Sequence, residues 1–170
     1  GTELVPWKGR AGRYANNDLT AAKQLLVDLR EGMGRIADRQ IERGDNKFDV
    51  DKGDDLIVLA IDELPRYTAN KELRMMILDI LQIIRSLGGM VVATAQRPSG
   101  DQVGADIRAQ FTHRFCMRVD SSATARMILG EGWPVRPHHI PKGKRGYGYL
   151  TTLEGAPRGV RADWMDIEQI

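Results

Sequence analysis

The sequence predicts an α/β fold in which helices flank a mainly parallel sheet. Two segments, 56–62 (LIVLAID) and 90–95 (MVVATA), are continuous rather than alternating apolar runs, which is typical of strands buried on both faces of a parallel sheet. An amphipathic helical pattern separates them. A strand, a helix and a second strand within about forty residues form a right-handed crossover unit, and such units build α/β domains.

The composition is compatible with this fold and excludes several protein classes. The chain has 170 residues, which is enough for one domain with a proper core. A single cysteine excludes an internal disulfide framework, and the longest strongly apolar run is too short to span a bilayer. The net charge of +2, from 25 basic and 23 acidic side chains, produces no global basic field. Any DNA contact would therefore depend on local patches or on several assembled copies.

The remaining elements follow from periodicity and from the residues that begin and end helices. Apolar residues at steps of three or four predict helices, alternation predicts a strand with one less buried face, and glycine and proline mark loops. In chain order the sequence predicts an aperiodic loop or strand (1–16), a helix (19–43), an acidic surface loop (44–55), the crossover helix (73–87), a short helix (101–109), a strand (111–119), a helix (122–129), a loop (130–146) and two closing strands (146–152 and 158–164). No internal repeat is visible, so one domain is expected.

The residues that point to chemistry follow the two buried runs. Asp62 and Glu63 end the first run, and ligands of open α/β sheets bind at the carboxyl ends of the strands. In nucleotide hydrolysis the first acid can hold Mg²⁺ through water, and the second can deprotonate the water that attacks the γ-phosphate. Thr94 and Gln96 end the second run at the same edge, where they can contact the γ-phosphate or that water. The alternative is a strand that simply ends in polar residues, with Gln96 capping a turn.

These segments and their order resemble the FtsK/SpoIIIE family of ATP-driven DNA translocases. The resemblance rests on LIVLAIDE, the helix after it, GGMVVATAQRPSG and IRAQFTHRFCMRVDSSATARMILG, and it covers roughly residues 15–170. Residues 30–35 (REGMGR) resemble a run in the family's helix before the acidic strand, and APRGVRADWMDIEQI resembles its last motor strand. The ATAQRP segment together with the Asp62–Glu63 pair is the most specific part of the resemblance.

The resemblance implies a RecA-like P-loop NTPase core that hydrolyses ATP with Mg²⁺. It implies double-stranded DNA as the polymer, a homohexameric ring, and a task in chromosome segregation or conjugative plasmid transfer. Asp62 would hold Mg²⁺ through water, Thr94 would contribute to nucleotide binding, Glu63 would act as the base and Gln96 as the γ-phosphate sensor. The implied location is cytoplasmic, at the cytoplasmic face of the bacterial inner membrane, with any membrane tether supplied by regions outside this chain.

One motif of such motors is missing from the sequence. No G-x-x-x-x-G-K-[ST] phosphate-binding loop occurs, and the backbone N–H groups and the lysine of that loop supply much of the phosphate binding. We therefore expect residues 1–170 to be the C-terminal portion of a single motor domain that is inactive by itself. We also expect an exposed strand edge or helix groove, and with it partner strands or self-association.

A ring motor also needs an arginine that reaches the phosphates bound by the neighbouring subunit. The resemblance favours Arg114 for this role, with Arg118 and Arg126 as further candidates. Arg97 and Arg108 are the other arginines considered. The alternative for each of them is a solvated or ion-paired surface side chain.

Three other features have simpler interpretations. The basic run 136–145 (RPHHIPKGKR) is the strongest local patch, and it is either a solvated loop or a contact to DNA phosphates. Its adjacent histidines lack two further ligands at zinc-binding spacing, and the acidic stretch 44–55 lacks EF-hand spacing, so neither is expected to bind metal. Cys116 lies on the alternating strand and is expected to be a buried, inert thiol.

Two other functions stay open at the level of sequence. A protein-secretion ATPase of the type VII kind shares the motor core but moves polypeptide. A non-catalytic module could keep the motor fold without binding nucleotide, which the missing phosphate-binding loop favours.

Overall fold

The computed structural model describes residues 4–16, 18–45, 48–96, 103–153, 155–163 and 165. The chain divides into two compact units, residues 1–96 and residues 97–170. The first unit contains helices α1 (Leu19–Glu42), α2 (Leu64–Thr68) and α3 (Lys71–Ile83), strands β1 (Ile57–Ile61) and β2 (Gly89–Ala93), and 3₁₀ turns at Val5–Gly9, Val50–Lys52 and Ile84–Leu87. The second contains helices α4 (Ala105–Gln110) and α5 (Ser122–Leu129), strands β3 (Arg114–Met117), β4 (Tyr147–Thr152) and β5 (Gly155–Arg161), and a 3₁₀ turn at Pro137–His139.

Helix α1 begins where the sequence predicts, because the Asp18 carboxylate accepts a hydrogen bond from the Thr20 N–H at 2.8 Å. Its inner face buries Met33 completely. An exposed ion pair joins α1 to α3, with Arg30 Nε 2.7 Å from the Asp79 carboxylate, but such pairs contribute little to stability and burial of the apolar stripe dominates. None of the helices in the described ranges is long and apolar enough to cross a membrane.

Strands β1 and β2 pair in parallel along their whole length, which confirms the predicted crossover. Leu59 and Ile61 are each 8% exposed on one face, whereas Val58 and Met90 on the other face are 53% and 49% exposed. The prediction of burial on both faces is therefore wrong for the described part of the chain, because helices cover only one face there. Each strand also has one edge without a partner strand among the described residues, so the expected exposed edge is present.

The crossover contains two helices rather than one. Helix α3 begins at the Asn70 side chain, which accepts hydrogen bonds from two backbone N–H groups, and it buries Ile77 and Ile80 to 1% exposure. A 3₁₀ turn follows and ends at Gly88 with φ of 78°, a conformation that favours glycine. A Cβ at Gly88 would lie 1.9 Å from the Phe48 ring, so the close approach of this ring also requires glycine.

The second unit has an antiparallel sheet in the order β3–β4–β5. Parallel pairing is therefore confined to β1 and β2 among the described strands. The closing strand begins at Gly155 rather than at residue 158, which makes the hairpin tighter than the sequence predicts. Strand β3 does alternate, and its inner face holds Cys116, which is 1% exposed, while Phe115 and Met117 are 38% and 47% exposed. Burial raises the pKa of the Cys116 thiol to about 11, as expected for an inert thiol.

The acidic stretch after α1 folds back on the end of that helix through ion pairs. The Asp54 carboxylate accepts hydrogen bonds from the Arg43 guanidinium at 2.6 Å and from the Asp49 N–H at 3.1 Å. Arg43 also pairs with Asp45, which in turn accepts a hydrogen bond from Lys52. The hydrogen bond from Arg43 is the main reason that the pKa of Asp54 is lowered. These carboxylates thus serve the local structure of the loop.

Candidate active site

Thr94, just beyond β2, holds the two acids that follow β1. Its hydroxyl donates to the Asp62 carboxylate at 2.7 Å and accepts the Glu63 N–H at 3.0 Å. Backbone hydrogen bonds frame this contact, from the Thr94 N–H to the Ile61 carbonyl at 2.9 Å and from the Leu64 N–H to the Thr94 carbonyl at 2.8 Å. Because parallel neighbours end at the same edge of a sheet, β1 and β2 bring these polar groups together, as the sequence predicts.

Glu63 has a strained backbone. Its φ of 58° and ψ of 63° are left-handed, and it is the only non-glycine residue with positive φ in the described ranges. This conformation costs a residue with a Cβ about 1–2 kcal/mol, and such strain is found where function requires a particular geometry. Glu63 occupies the position before α2, but its side chain forms no capping hydrogen bond with that helix. Its carboxylate is therefore not needed to cap α2.

Asp62 is half-buried and has one carboxylate oxygen to spare. One oxygen accepts the Thr94 hydroxyl, and the other forms no hydrogen bond within the described residues. Mg²⁺ at nucleotide sites takes one or two carboxylates and completes its shell with water and phosphate oxygens. No group of three or more His, Cys, Asp or Glu side chains that could hold a metal occurs in the described part of the chain. Asp62 therefore fits a magnesium ion whose other ligands are water and nucleotide.

Asp62 also lies on the wall of a large cleft in the first unit. The cleft has a volume of about 1520 Å³ and is bordered by α1, the segment 4–16 and β1. Tyr67, from α2, lines the same cleft. Burial raises the pKa of the Tyr67 phenol, and the negative charge of Asp62 acts in the same direction. Tyr67 was not predicted, because a tyrosine in a short helix matches no motif, although it lies only four residues after Glu63.

Gln96, the predicted γ-phosphate sensor, is exposed. It lies two residues beyond Thr94 on the segment that leaves β2, at the edge where the acids lie. Arg97, which follows it, falls outside the described residues.

Arg114 is not a free surface arginine. It is half-buried, and its guanidinium donates to the carbonyl oxygens of Phe111, Arg108 and Ile128 at 3.0, 3.2 and 3.3 Å. These bonds tie the start of β3 to the ends of α4 and α5, which is a bracing function within the second unit. The Arg108 side chain is itself half-buried, and its Nε is buried without a hydrogen bond.

Arg118 and Arg126 differ from Arg114 in that both are exposed. Neither forms an ion pair with any carboxylate that the structure describes. Both are therefore able to reach a ligand without breaking an existing contact.

Part of the predicted basic patch surrounds an aromatic ring. Lys144 Nζ lies 4.9 Å from the centre of the Tyr147 ring, and the Arg161 guanidinium lies 5.5 Å from it. Arg161 comes from β5, which the sequence analysis did not connect with this patch. Cations over an aromatic face are attracted to it by the ring quadrupole, so Lys144 of the patch and Arg161 of β5 both favour positions beside the Tyr147 ring.

Curated proteins similar to this chain are DNA translocases named FtsK. The protein of Rickettsia bellii is 30% identical over 113 residues, which are 58% of this chain and 15% of that protein. The protein of Rickettsia typhi is 30% identical over 124 residues, covering 64% of this chain and 16% of that protein. The chain therefore spans only about one sixth of the length of these relatives. No family model matches the sequence.

Solved structures with a similar fold include a conjugation coupling protein and a secretion ATPase. The pCW3 conjugation coupling protein TcpA, in a monomer form with ATPγS, matches 89% of this chain and 46% of its own with a TM-score of 0.74 at 17% identity. The cytoplasmic domain of the type VII secretion ATPase EccC of Thermomonospora curvata matches 86% of this chain and 18% of its own with a TM-score of 0.70 at 18% identity. Together the comparisons confirm the RecA-like α/β fold and the resemblance to FtsK/SpoIIIE-type motors.

Proposed function

We propose that this chain carries the hydrolytic edge of an ATPase that translocates double-stranded DNA. The observation that carries the proposal is the turn at Asp62 and Glu63, bound by Thr94 on the parallel neighbour strand. The similarity to DNA translocases named FtsK supports DNA as the polymer. The fold similarity to TcpA, solved with ATPγS, supports ATP as the nucleotide. Both compact units are proposed to belong to one motor domain.

Each residue of the turn has a proposed chemical task. Asp62 would hold Mg²⁺ through water, and magnesium at such a site would neutralise phosphate charge. Glu63 accepts the proton of the attacking water, since its carboxylate is not used by the fold. Thr94 keeps Asp62 and the Glu63 backbone in register, and Gln96 contacts the γ-phosphate from the exposed segment beyond β2. The phosphate-binding loop would have to come from outside these 170 residues, which is why we expect the isolated chain to be inactive.

The assembly and the location are also proposals. We propose a homohexameric ring, in which a few basic residues per subunit contact DNA phosphates around one pore. The tasks that fit are chromosome segregation and conjugative transfer. The proposed location is the cytoplasmic face of the bacterial inner membrane, with a tether outside this chain.

We propose Arg118 rather than Arg114 as the arginine that reaches the neighbouring subunit. Arg114, which the resemblance favours, would have to give up three carbonyl hydrogen bonds to reach a neighbour's phosphate. Arg118 is exposed and unpaired within the described ranges, so it is the better placed candidate. Arg118→Ala should lower ATP turnover without lowering the melting temperature, whereas Arg114→Ala should lower both. Loss of turnover in Arg114→Ala at an unchanged melting temperature, with full turnover in Arg118→Ala, would return the assignment to Arg114.

The decisive experiment measures ATP turnover of the full-length gene product with and without double-stranded DNA. We expect DNA to stimulate turnover, and Glu63→Gln to abolish turnover while ATP binding persists. Because glutamine keeps the size of glutamate but cannot accept the proton, retained turnover in this variant would refute Glu63 as the base. Absence of both nucleotide binding and turnover in the unaltered protein would favour the non-catalytic module instead.

A secretion ATPase is the second candidate, because the fold also matches EccC with a TM-score of 0.70. The same turnover assay separates the two functions. Stimulation by a polypeptide substrate with no response to double-stranded DNA would favour secretion and overturn the DNA proposal.

A further inference from the structure

The second unit contains a cavity that no part of the proposed hydrolysis uses. It has a volume of about 450 Å³ and lies between α5 and the segment that follows it, up to the 3₁₀ turn at Pro137–His139. Ligand sites for small molecules usually have volumes of about 300–1000 Å³. The cavity is thus large enough for a ligand the size of a nucleotide unit.

The charged side chains that line this cavity are all basic. Arg126 projects from the last turn of α5, and Arg136 precedes the 3₁₀ turn. Both are exposed, neither is paired with a carboxylate in the described ranges, and no acidic residue lines the cavity. Two unpaired guanidinium groups on one concave surface attract an anion, and guanidinium geometry suits phosphate in particular.

A histidine adds an unsatisfied polar group to the same surface. His138 lines the cavity, and its Nδ1 is buried without a hydrogen-bond partner. Buried polar groups are nearly always hydrogen-bonded, so an orphaned ring nitrogen beside two arginines indicates a missing partner. Burial, with His139 and Arg136 nearby, lowers the pKa of His138. A bound anion would supply the absent partner and would offset the charges of the two arginines.

Trp133 adds an aromatic surface to the cavity. The Trp133 indole N–H donates to the Leu129 carbonyl at 3.1 Å and so caps the end of α5. Its polar atom is therefore used, and the ring lines the cavity as a flat apolar surface. Pro137, which is fully buried, anchors the segment that carries Arg136.

We propose that this cavity binds a phosphoryl group, with Arg126, Arg136 and His138 on the phosphate and Trp133 beside the attached sugar or base. The ligand class is a phosphodiester of a nucleic acid or the phosphate of a free nucleotide, which share this chemistry. The choice of a nucleic-acid backbone as the source of the phosphate rests on the proposed function, because a DNA translocase must contact phosphates repeatedly and without regard to sequence. The site lies in the second unit, whereas Asp62 and Glu63 lie in the first.

The test measures binding by the 170-residue chain, using a fluorescein-labelled duplex of about 20 base pairs in one arm and ATP in the other. Quenching of tryptophan fluorescence that disappears in Trp133→Phe reports events at the cavity, because the chain also contains Trp7 and Trp164. Removing one phosphate contact should weaken binding of the duplex about tenfold. It should also reduce the slope of log affinity against log salt concentration by about one. We expect this result for Arg136→Gln and for Arg126→Gln. Arg145→Gln is the matched control, because it removes an equally exposed charge outside the cavity.

The outcomes separate a specific site from a general basic surface. Weaker binding in Arg126→Gln and Arg136→Gln but not in Arg145→Gln, for either the duplex or ATP, supports the phosphoryl site. The ligand whose binding weakens identifies the source of the phosphate. Equal losses in Arg136→Gln and Arg145→Gln, or no loss in either cavity variant, would overturn it. Loss of ATP turnover in Glu63→Gln, measured in the full-length gene product at unchanged affinity for the duplex, concerns only the hydrolytic site, so failure of one proposal is distinguishable from failure of the other.

Discussion

Replacing Thr94 by valine tests whether one hydroxyl group holds the acidic turn. Valine keeps the β-branched shape beside β2 but removes the donor to Asp62 and the acceptor for the Glu63 N–H. A hydrogen bond to a charged group contributes about 1.5–3 kcal/mol, and one between neutral groups contributes about 0.5–1.5 kcal/mol. Because Thr94 is exposed, water compensates in part for the two hydrogen bonds that the valine variant loses. The expected loss in the free energy of unfolding is therefore about 1–2 kcal/mol.

Urea unfolding of the 170-residue chain, followed by far-UV circular dichroism, measures this loss. With a urea dependence of about 2 kcal/mol per molar, the midpoint should fall by roughly 0.5–1 M. Thr94→Ser keeps the hydroxyl and is the matched control, so its midpoint should remain within about 0.3 M of the unaltered chain. Hydrogen exchange in the segment 62–68 should accelerate in the valine variant and not in the serine variant, because the turn loses its anchor.

Two results would refute the reasoning about Thr94. Equal midpoints for the valine and serine variants would mean that the hydroxyl contributes nothing measurable. Unchanged hydrogen exchange after the turn in Thr94→Val would mean that β2 does not position the acids. In either case the geometry of Asp62 and Glu63 would have to arise from α2 and the β1 backbone alone.

Three more substitutions follow from backbone strain, close packing and charge. Glu63→Gly should raise the free energy of unfolding by about 1 kcal/mol in urea titrations while ATP turnover is lost, because glycine adopts φ near 58° without a Cβ penalty. Gly88→Ala should lower the free energy of unfolding by about 2–4 kcal/mol, measured by thermal unfolding. The new Cβ would overlap the Phe48 ring, and the φ of 78° is unfavourable for a residue with a Cβ. Asp54→Asn should weaken the acid sensitivity of unfolding. Arg43 lowers the pKa of the Asp54 carboxyl, so the ionised carboxylate stabilises the fold at pH values above the ordinary pKa of 3.8. This stabilisation is lost as the pH falls through the lower pKa of the folded chain.

Matched variants make these three predictions specific. Glu63→Ala removes the carboxylate but keeps a Cβ, so it should show no gain in stability. Gly53→Ala has the same φ of 78° with nothing within 4 Å of the new Cβ, so its loss should be only about 1 kcal/mol. Asp51→Asn changes an exposed acid of the same loop and should leave the acid midpoint unchanged. A reversal within any pair contradicts the mechanism assigned to it.

Local sequence patterns predicted most of the elements correctly because their physical causes are local. Helix α1 begins after Asp18 because a side-chain oxygen and an N–H two positions away satisfy each other. The 3₁₀ turn after the crossover helix ends at Gly88 because the left-handed conformation there favours glycine. Each of these decisions depends on neighbours within one or two turns, so a single sequence contains the relevant information.

Burial was predicted less well because it depends on what packs against each face. The continuous apolar run around Val58 predicts burial on both sides, yet that side chain is 53% exposed, since only one sheet face is covered among the described residues. On β3 the alternation was visible, but the sequence left open which face would be buried. The antiparallel sheet placed Cys116 inside and Phe115 outside.

Local sequence was enough to predict the acids after the first strand, the polar residues after its neighbour, and the resemblance to FtsK/SpoIIIE-type motors. The folded chain was needed to show that the Thr94 hydroxyl contacts the Asp62 carboxylate and the Glu63 N–H, that Glu63 has a left-handed conformation, and that Arg114 donates to carbonyl groups. The difference comes from distance along the chain. Thr94 and its two partners are 31 and 32 positions apart, and their contact exists only because parallel pairing brings both strand ends to one edge.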